Sequence, residues 1–348
     1  MEKNRINLKD LTSQEQDDLF KTMGEPLYRA RQLRKWLYQK HCHNISAMTD
    51  FPKALRDKLS QDYAADGLKT VERKVSQDGT IKYLFELDDG LTVETVYITE
   101  GKRRTVCVST QVGCKFRCVF CETGKHGFIR SLRPGEIVNQ VIEVNNDSDA
   151  GTATNVVLMG MGEPLDNFEP VAQSLKLLNS KEGFGIGKRR ITLSTAGVVP
   201  GIRRLGELGL GVNLAISLHA ADDETRTRLM PINKKYPVRE LMKACRDFPL
   251  PPQRLITMEV ILFDSVNDSV SDAVKLAVAL RGVRAKVNLL RFNQVSSSGF
   301  TASSDEKIER FMAKLEAKDI PVTLRESRGA DIMAACGQLR SASHATFG

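Results

Sequence analysis

The chain has 348 residues, of which 41% are hydrophobic and 27% charged, and its formal net charge is +8 at neutral pH. This composition supports a large folded core and excludes a chain that is disordered throughout. A basic chain of this kind has either a solvated positive surface or a nucleic-acid partner. Because no apolar run is long enough to cross a membrane and the charged N-terminus lacks the apolar stretch of a signal peptide, we expect a cytoplasmic protein with no membrane contact.

The predicted elements divide the chain into four segments. Residues 1–67 have the periodicity of helices and form a predicted N-terminal helical accessory domain. Residues 68–100 are rich in β-branched and aromatic residues around two Asp-Gly turns, which predicts a small antiparallel meander. Residues 101–331 alternate short apolar strands with amphipathic helices and form the predicted core, and residues 332–348 form a C-terminal segment.

Six strand–helix units are expected in the third segment. Polar residues after several of these strands favour an α/β fold of the TIM type, a partial (β/α)6 barrel with a C-terminal extension. A doubly wound open sheet is the alternative, although no glycine-rich nucleotide fingerprint follows the first strand. The predicted strands are Val106–Thr110, Asn155–Met159, Arg190–Ser194, Val212–Ser217, Leu255–Leu262 and Lys286–Phe292, with a final strand at Val322–Leu324.

Three cysteines, Cys114, Cys118 and Cys121, follow the first barrel strand at spacings of three and then two residues. Closely spaced thiolates are the ligands that iron–sulfur clusters prefer. Three ligands would leave one iron of a [4Fe–4S] cluster open for a substrate. A structural zinc site is the alternative, but such a site usually has four ligands in paired motifs, and Cys107 and His126 are poorly spaced to supply the fourth.

Glycine and polar residues at later strand ends predict a ligand site on one face of the barrel. The carboxyl ends of parallel strands meet at the same face, where such barrels build their active sites. A single residue of this kind is often only a loop cap, and it is their coincidence at one face that favours function. The candidates are Gly162 and Glu163 in Gly-Met-Gly-Glu-Pro-Leu, Ser194, the run Ser217, Leu218 and His219, and Asn293.

The cysteine spacing resembles the signature of the radical SAM superfamily, whose members cleave S-adenosylmethionine (SAM) to a 5′-deoxyadenosyl radical with one electron from the cluster. Within it, the chain resembles the RlmN/Cfr family of RNA methyltransferases over nearly its full length. The matching stretches are Val93-Glu94-Thr95, Cys107-Val-Ser-Thr-Gln-Val-Gly-Cys114, the cysteine motif, Gly-Met-Gly-Glu-Pro-Leu, Thr-Leu-Ser-Thr-Ala-Gly-Val-Val-Pro, Ala-Ile-Ser-Leu-His-Ala, Pro-Ile-Asn-Lys-Lys-Tyr and Ala-Ala-Cys336-Gly-Gln-Leu.

The resemblance implies one [4Fe–4S] cluster on the three motif cysteines and two SAM molecules per turnover, with SAM contacts at the strand-end candidates. One SAM would methylate Cys336, and the radical from the second would take hydrogen from that methyl group, whose carbon then adds to an adenine of the RNA. Glu94 would remove the ring proton as general base. Attack of Cys107 on the sulfur of Cys336 would release the product and leave a disulfide, which thiol exchange reduces.

The resemblance is closer to the RlmN type, which methylates carbon 2 of an adenosine in 23S rRNA and, in some members, of a tRNA adenosine beside the anticodon. A Cfr-type enzyme, which methylates carbon 8 and gives antibiotic resistance, is the first alternative. A radical SAM enzyme for a small molecule or peptide is a second alternative, and it would leave Cys107 and Cys336 without a role. A non-enzymatic iron–sulfur protein is a third, and the open coordination site of the cluster argues against it. An external one-electron reductant is an implied partner, and we expect a monomer.

Overall fold

The N-terminal part of the chain is a helical unit, seen here in a computed structural model that describes residues 5–293 and 299–339. Its core is formed by buried side chains such as Phe20, Leu33 and Phe51, and it packs against two helices of the barrel through Val138 and Leu177. Its elements are strand β1 (Ile6–Asn7), helices α1 (Ser13–Thr22), α2 (Tyr28–Arg34) and α3 (Lys53–Asp62), and strand β2 (Tyr63–Ala64), which pairs with β1; a π-helical turn spans Lys35–Gln39 and a 3₁₀ turn spans Ile45–Ala47.

A ten-stranded sheet forms the rest of the fold. Three antiparallel strands lead into it, β3 (Lys69–Val75), β4 (Ile81–Glu86) and β5 (Thr92–Glu100), and β5 pairs with the first barrel strand, β6 (Arg103–Cys107). The predicted meander is therefore continuous with the barrel sheet. A separate hairpin of β7 (Gln111–Gly113) and β8 (Phe128–Ser131) follows, with helix α4 (Glu122–Lys125) between its strands.

Seven parallel strands, β6 and then six more, make up the barrel portion of this sheet in the order in which they occur along the chain. Helices alternate with these strands, as the sequence predicts, so the expected partial TIM-type barrel is confirmed. The later elements are α5 (Pro134–Asn146), β9 (Asn155–Leu158), α6 (Phe168–Asn179), β10 (Ile191–Thr195), α7 (Val199–Glu207), β11 (Asn213–Ser217), α8 (Asp223–Leu229), α9 (Val238–Asp247), β12 (Ile256–Leu262), α10 (Val270–Ala279), β13 (Ala285–Arg291), α11 (Asp305–Glu316) and β14 (Val322–Arg325), with 3₁₀ turns at Pro164–Asp166, Lys188–Arg190, Pro231–Lys234 and Ala330–Ile332.

Alternation along each strand separates the helix-covered face of the sheet from the barrel interior. On β12, Met258 and Val260 pack in the main core with the helices, whereas Ile261 packs in a second cluster around Phe120 and Phe263. Glu259 shares the face of Ile261. The interior face carries polar residues in register across four strands, in the order Ser217, Glu259, Asn288 and Thr323.

The first barrel strand is displaced from its predicted position, because it spans Arg103–Cys107 and not Val106–Thr110. Hydrogen bonding to the β9 chain continues beyond Cys107, from the N–H of Val108 to the carbonyl oxygen of Val157 (2.9 Å), and the chain then forms the β7–β8 hairpin, which was not predicted. At Gly113 the two hairpin strands approach so closely that a Cβ atom would lie 1.9 Å from the carbonyl oxygen of Gly127. Only glycine fits there, and this turn sets the base of the loop that carries the three cysteines.

Candidate active site

The three motif cysteines lie in the loop between β7 and α4, at the end of the first barrel strand. The loop closes on itself through hydrogen bonds from the N–H of Cys114 to the carbonyl oxygen of Gly127 (2.8 Å) and from the N–H of Cys121 to that of Cys118 (3.1 Å). Burial raises the pKa of all three thiols, most strongly at Cys118, and the neighbouring thiols add to the effect at Cys118. The thiols of Cys114 and Cys121 both act on Cys118, so the three cysteines lie close to one another.

This donor set fits an iron–sulfur cluster. Three soft sulfur ligands project from one short loop, and each thiolate can bind a different iron atom of the cluster. Within residues 5–293 and 299–339, no three His, Cys, Asp or Glu side chains converge tightly enough to hold a single metal ion. Phe120 lies in the same loop and packs its ring edge-to-face on His219 at 4.6 Å, which places an apolar wall beside the cysteines.

The Gly-Met-Gly-Glu-Pro-Leu motif forms the turn after β9. Gly162 has φ +94°, and a Cβ atom there would lie 2.5 Å from Cβ of Gln111, so this backbone position requires glycine. Glu163 is buried, and its carboxylate accepts hydrogen bonds from the N–H groups of Leu165 (3.0 Å) and Ala196 (2.7 Å). Burial raises the pKa of Glu163 to about 7, against the effect of these donors. Glu163 thus ties the turn after β9 to the turn after β10.

The other strand-end candidates lie at or just after the carboxyl ends of β10, β11 and β13, and Leu218 packs in the main core. Ser194 and Ser217 are half-buried near the carboxyl ends of β10 and β11, and Leu218 is fully buried. His219 has φ 57°, and its Nδ1 accepts a hydrogen bond from the N–H of Ile261 at 3.0 Å. Burial, followed by the charge of a nearby arginine, lowers its pKa to about 3, so the ring is neutral. Asn293 is half-buried just after β13.

That arginine, Arg226, is a site residue that the sequence analysis missed. It is fully buried and donates to the carbonyl oxygens of Ala196 (2.7 Å) and Leu218 (3.2 Å) and to Oδ1 of Asn233 (2.9 Å). One cation thereby clamps the ends of β10 and β11, and its charge also acts on the thiol of Cys118. It lies in the polar run Asp-Asp-Glu-Thr-Arg-Thr-Arg, which reads as a surface helix and gives no sequence signal.

Cys107 lies at the end of β6 and Cys336 lies next to the cysteine loop, and their thiols are close enough to interact electrostatically although they are 229 positions apart in the sequence. Burial raises the pKa of Cys107 to about 12, and the proximity of the Cys336 thiol adds to this shift. Cys336 keeps exposed surface, yet surrounding protein and the charge of Glu259 raise its pKa, while Arg325 opposes the shift. Both thiols are free. Glu259, which the sequence analysis also missed, thus belongs to the surroundings of Cys336.

The segment that carries Cys336 is held at both ends. On one side, the carboxylate of Asp331 accepts hydrogen bonds from Oγ of Ser76 (2.6 Å) and the N–H of Gln77 (3.2 Å), in the turn between β3 and β4. On the other side, the hydroxyl of Thr123 donates to the carbonyl oxygen of Leu339 at 2.6 Å. The antiparallel strands therefore serve as a platform for this segment, and the cysteine loop holds its other end.

Glu94 lies on β5 and is buried, whereas a strand-edge glutamate would be exposed. Its Oε1 is 2.9 Å from Nζ of Lys82 on β4, and the side chains are 7% and 8% exposed, respectively. Lys82 also donates to the carbonyl oxygen of Met333 at 3.1 Å. Lys82 is a further residue that the sequence analysis passed over; the signal was a lysine within the apolar run Ile-Lys-Tyr-Leu-Phe.

Comparison with known proteins agrees with this arrangement. Residues 6–64 match a family described as the ribosomal RNA large subunit methyltransferase N-terminal domain, and residues 108–277 match the radical SAM superfamily. A dual-specificity RNA methyltransferase RlmN of Syntrophotalea carbinolica is 46% identical over 337 residues, which cover 97% of this chain and 90% of the relative. The RlmN of Nitratiruptor is 43% identical over 353 residues, with 97% and 98% covered.

A solved structure has the same fold. The crystal structure of a radical SAM methyltransferase from Sphaerobacter thermophilus superposes with a TM-score of 0.91 and 44% sequence identity, over 96% of this chain and 99% of that one. An open parallel barrel with a three-cysteine loop after its first strand defines the class, a radical SAM enzyme that uses a [4Fe–4S] cluster and SAM. With such identity over nearly its full length, the chain belongs to the RlmN family of radical SAM RNA methyltransferases, which confirms the predicted resemblance.

Proposed function

We propose that this protein methylates carbon 2 of an adenosine in 23S rRNA, with Cys336 as the carrier of the methyl group. The observation that carries the proposal is that Glu122 and Thr123 bond the segment of Cys336 to the cysteine loop, which leaves the thiol of Cys336 near that of Cys107. A radical SAM enzyme for a small molecule or peptide has no evident use for two further thiols at this point. The names of the relatives, which call them dual-specificity RNA methyltransferases, support a tRNA adenosine as a second substrate.

Each residue of the site has a part in this proposal. Cys114, Cys118 and Cys121 would hold the cluster, and the SAM contacts would come from Gly162, Glu163, Ser194, the Ser217–His219 run and Asn293. When bound, the cluster and two SAM molecules per turnover would supply the methyl group and the 5′-deoxyadenosyl radical that activates it. A one-electron reductant from outside the chain would reduce the cluster.

The thiols and the carboxylate would act on the RNA adduct. Cys336 would be joined to the adenine through a methylene carbon. After one electron has left the adduct for the cluster, Glu94 would take the proton from the ring carbon. The thiolate of Cys107 would then attack the sulfur of Cys336 and break its bond to the methylene carbon, which would take up a proton to become the methyl group. The product would leave with its new methyl group, and the Cys107–Cys336 disulfide would be reduced by thiol exchange.

The segmentation at residues 67, 100 and 331 stays a prediction. The net charge of +8 supports an RNA partner, because cations released from phosphates favour such binding. No helix in the described part of the chain is long and apolar enough to cross a membrane. We propose a monomer that acts in the cytoplasm.

Analysis of modified nucleosides tests the proposal. The protein with its cluster rebuilt under anaerobic conditions is incubated with SAM, a reductant and either protein-free 23S rRNA fragments or tRNA, and the digested RNA is examined by mass spectrometry. We expect 2-methyladenosine, and no product from the Cys336→Ala variant. Appearance of 8-methyladenosine would indicate Cfr-type chemistry, and absence of any methyladenosine would contradict RNA methylation.

A further inference from the structure

Lys82 is a buried, charged side chain to which neither the barrel fold nor the proposed cysteine chemistry assigns a role. It lies on β4, its side chain is 8% exposed, and it contacts two parts of the site that are far apart in sequence. One is the carboxylate of Glu94, at 2.9 Å, and the other is the carbonyl oxygen of Met333, three residues before Cys336, at 3.1 Å. A lysine is rarely buried without a reason, because removing its charge from water is costly.

We propose that Lys82 is a positioning residue that fixes the carboxylate of Glu94 relative to the segment carrying Cys336. The inference rests on the proposed function, in which Glu94 removes a proton from an RNA adduct attached to Cys336. A general base has to lie within hydrogen-bond reach of the proton that it accepts. Lys82 connects the two partners of that step directly, so that the base and the adduct are held in one geometry.

The strand register makes this connection possible. Leu84 of β4 lies directly opposite Glu94 of β5, and Lys82 is two residues from Leu84. Side chains two residues apart on a strand share a face, so Lys82 and Glu94 are diagonal neighbours on adjacent strands, within reach of a long side chain. Geometry of the sheet alone therefore brings the ammonium group to the carboxylate, and the flexible lysine stem leaves a second N–H for Met333.

The second contact is part of a larger attachment. The turn between β3 and β4 holds the same segment through Asp331, which accepts from Ser76 and Gln77, and through Asp78, whose Oδ2 accepts from the N–H of Gly329 at 3.0 Å. Those contacts fix where the segment begins. Among the contacts described between the β3–β4 hairpin and the segment, the one from Lys82 also reaches Glu94, so it joins the platform to the chemistry.

The test separates loading of the methyl group from release of the RNA. Loading is measured as the mass of the Cys336 peptide after incubation with SAM, and release as the lifetime of the covalent protein–RNA adduct on denaturing gels in a single turnover. In Lys82→Gln, which keeps an N–H donor without the charge, we expect normal loading and an adduct that lasts at least about 10-fold longer. Hydrogen exchange of residues 329–339 should become faster in the same variant.

Two further variants serve as controls. Lys82→Arg keeps a cationic donor and should restore release to nearly the rate of the unmodified protein. Lys74→Met removes the lysine directly opposite Lys82 on β3, which is exposed and pairs with the exposed Glu72. This change should leave loading, release and hydrogen exchange unaltered.

A double-mutant cycle keeps the proposal testable if Lys82→Gln folds poorly. In the Lys82→Met/Glu94→Gln variant both charges are removed, so no unpaired charge is left buried. If Lys82 acts through Glu94, the double variant should release RNA no more slowly than Glu94→Gln alone. A slower double variant would overturn the proposal, as would unchanged release in Lys82→Gln, or loading and release that fall together without rescue by arginine. Failure of the unmodified protein to load Cys336 or form an adduct would instead count against the proposed function.

Discussion

The residue after the third motif cysteine is bonded to the residue after Cys336: the N–H of Glu122 donates to the carbonyl oxygen of Gly337 at 2.7 Å. The hydroxyl of Thr123 makes the next contact, to Leu339. These two hydrogen bonds attach the C-terminal segment to the cysteine loop. Cys336 therefore lies beside the three motif cysteines, although it comes from the other end of the barrel sequence.

Replacement of Cys107 by alanine should trap the enzyme on its RNA. In the proposed function the thiol of Cys107 attacks the sulfur of Cys336, so its removal should block release of the covalent adduct, and we expect a protein–RNA species that persists under denaturing conditions. A labelled RNA fragment and a denaturing gel measure it. Cys245→Ala is the matched control, because Cys245 is also buried but lies on α9 in the helix-packed core. Adduct-free turnover by Cys107→Ala would exclude the resolving role.

Asp331→Ala should release one end of the segment that carries Cys336. The change removes the two hydrogen bonds that Asp331 accepts from Ser76 and Gln77, and with them the attachment of the segment to the turn between β3 and β4. We expect faster hydrogen exchange at residues 329–339, slower methylation of RNA and nearly unchanged global stability. Asp247→Ala, which removes an exposed carboxylate paired with Lys243, is the control. Equal exchange in the two variants would show that the attachment is not needed to order the segment.

Arg226→Met should destabilise the barrel. The change leaves the buried carbonyl oxygens of Ala196 and Leu218 without the donor that clamps them, at a cost on the order of 3 kcal/mol. Urea unfolding of the protein measures the loss. Arg228→Met, two residues along the same helix but exposed, should change the free energy of unfolding by less than about 0.5 kcal/mol. Similar values for both variants would contradict the clamp.

Lys9 predicts a dependence of stability on pH. It is buried between the N-terminal unit and α5, with Nζ bonded to His43 (3.0 Å), the carbonyl of Asp66 (3.2 Å) and Asn139 (2.7 Å). Burial lowers its pKa from the ordinary 10.5 to about 8. Between these values the unfolded chain binds the proton and the folded chain does not, so the free energy of unfolding rises with pH.

The expected gain is up to about 1.4 kcal/mol per pH unit in this window, and none below pH 8, where both states are protonated. Comparison with Lys9→Met at each pH isolates the effect, because methionine fills similar space and does not titrate. The difference in free energy of unfolding between the two proteins should grow in favour of the lysine protein from pH 8 to pH 10. A constant difference across this range would show that Lys9 stays charged in the folded protein.

Local sequence determined the barrel and the cysteine loop. The alternation of apolar strands and amphipathic helices has a period that is read from neighbouring residues, and the three cysteines lie within eight residues, so neither needs long-range information. The hairpin that follows the first strand was not predicted, because it depends on the close approach of Gly113 to Gly127, which are 14 positions apart. The resemblance to the family's motifs identified Cys107 and Cys336 as candidate residues, but it did not show what surrounds them.

Tertiary structure decided what surrounds those positions. Lys82 beside Glu94, Arg226 across two strand ends and Glu259 near Cys336 are charges in ordinary-looking strands or helices. Burial of a charge depends on which distant segments cover it, and composition carries no record of that. The sequence by itself therefore determined the class of chemistry through its thiols. Only the folded chain, which brings residues as far apart as Lys82 and Met333 into contact, decided which charged groups hold those thiols and their carboxylate in place.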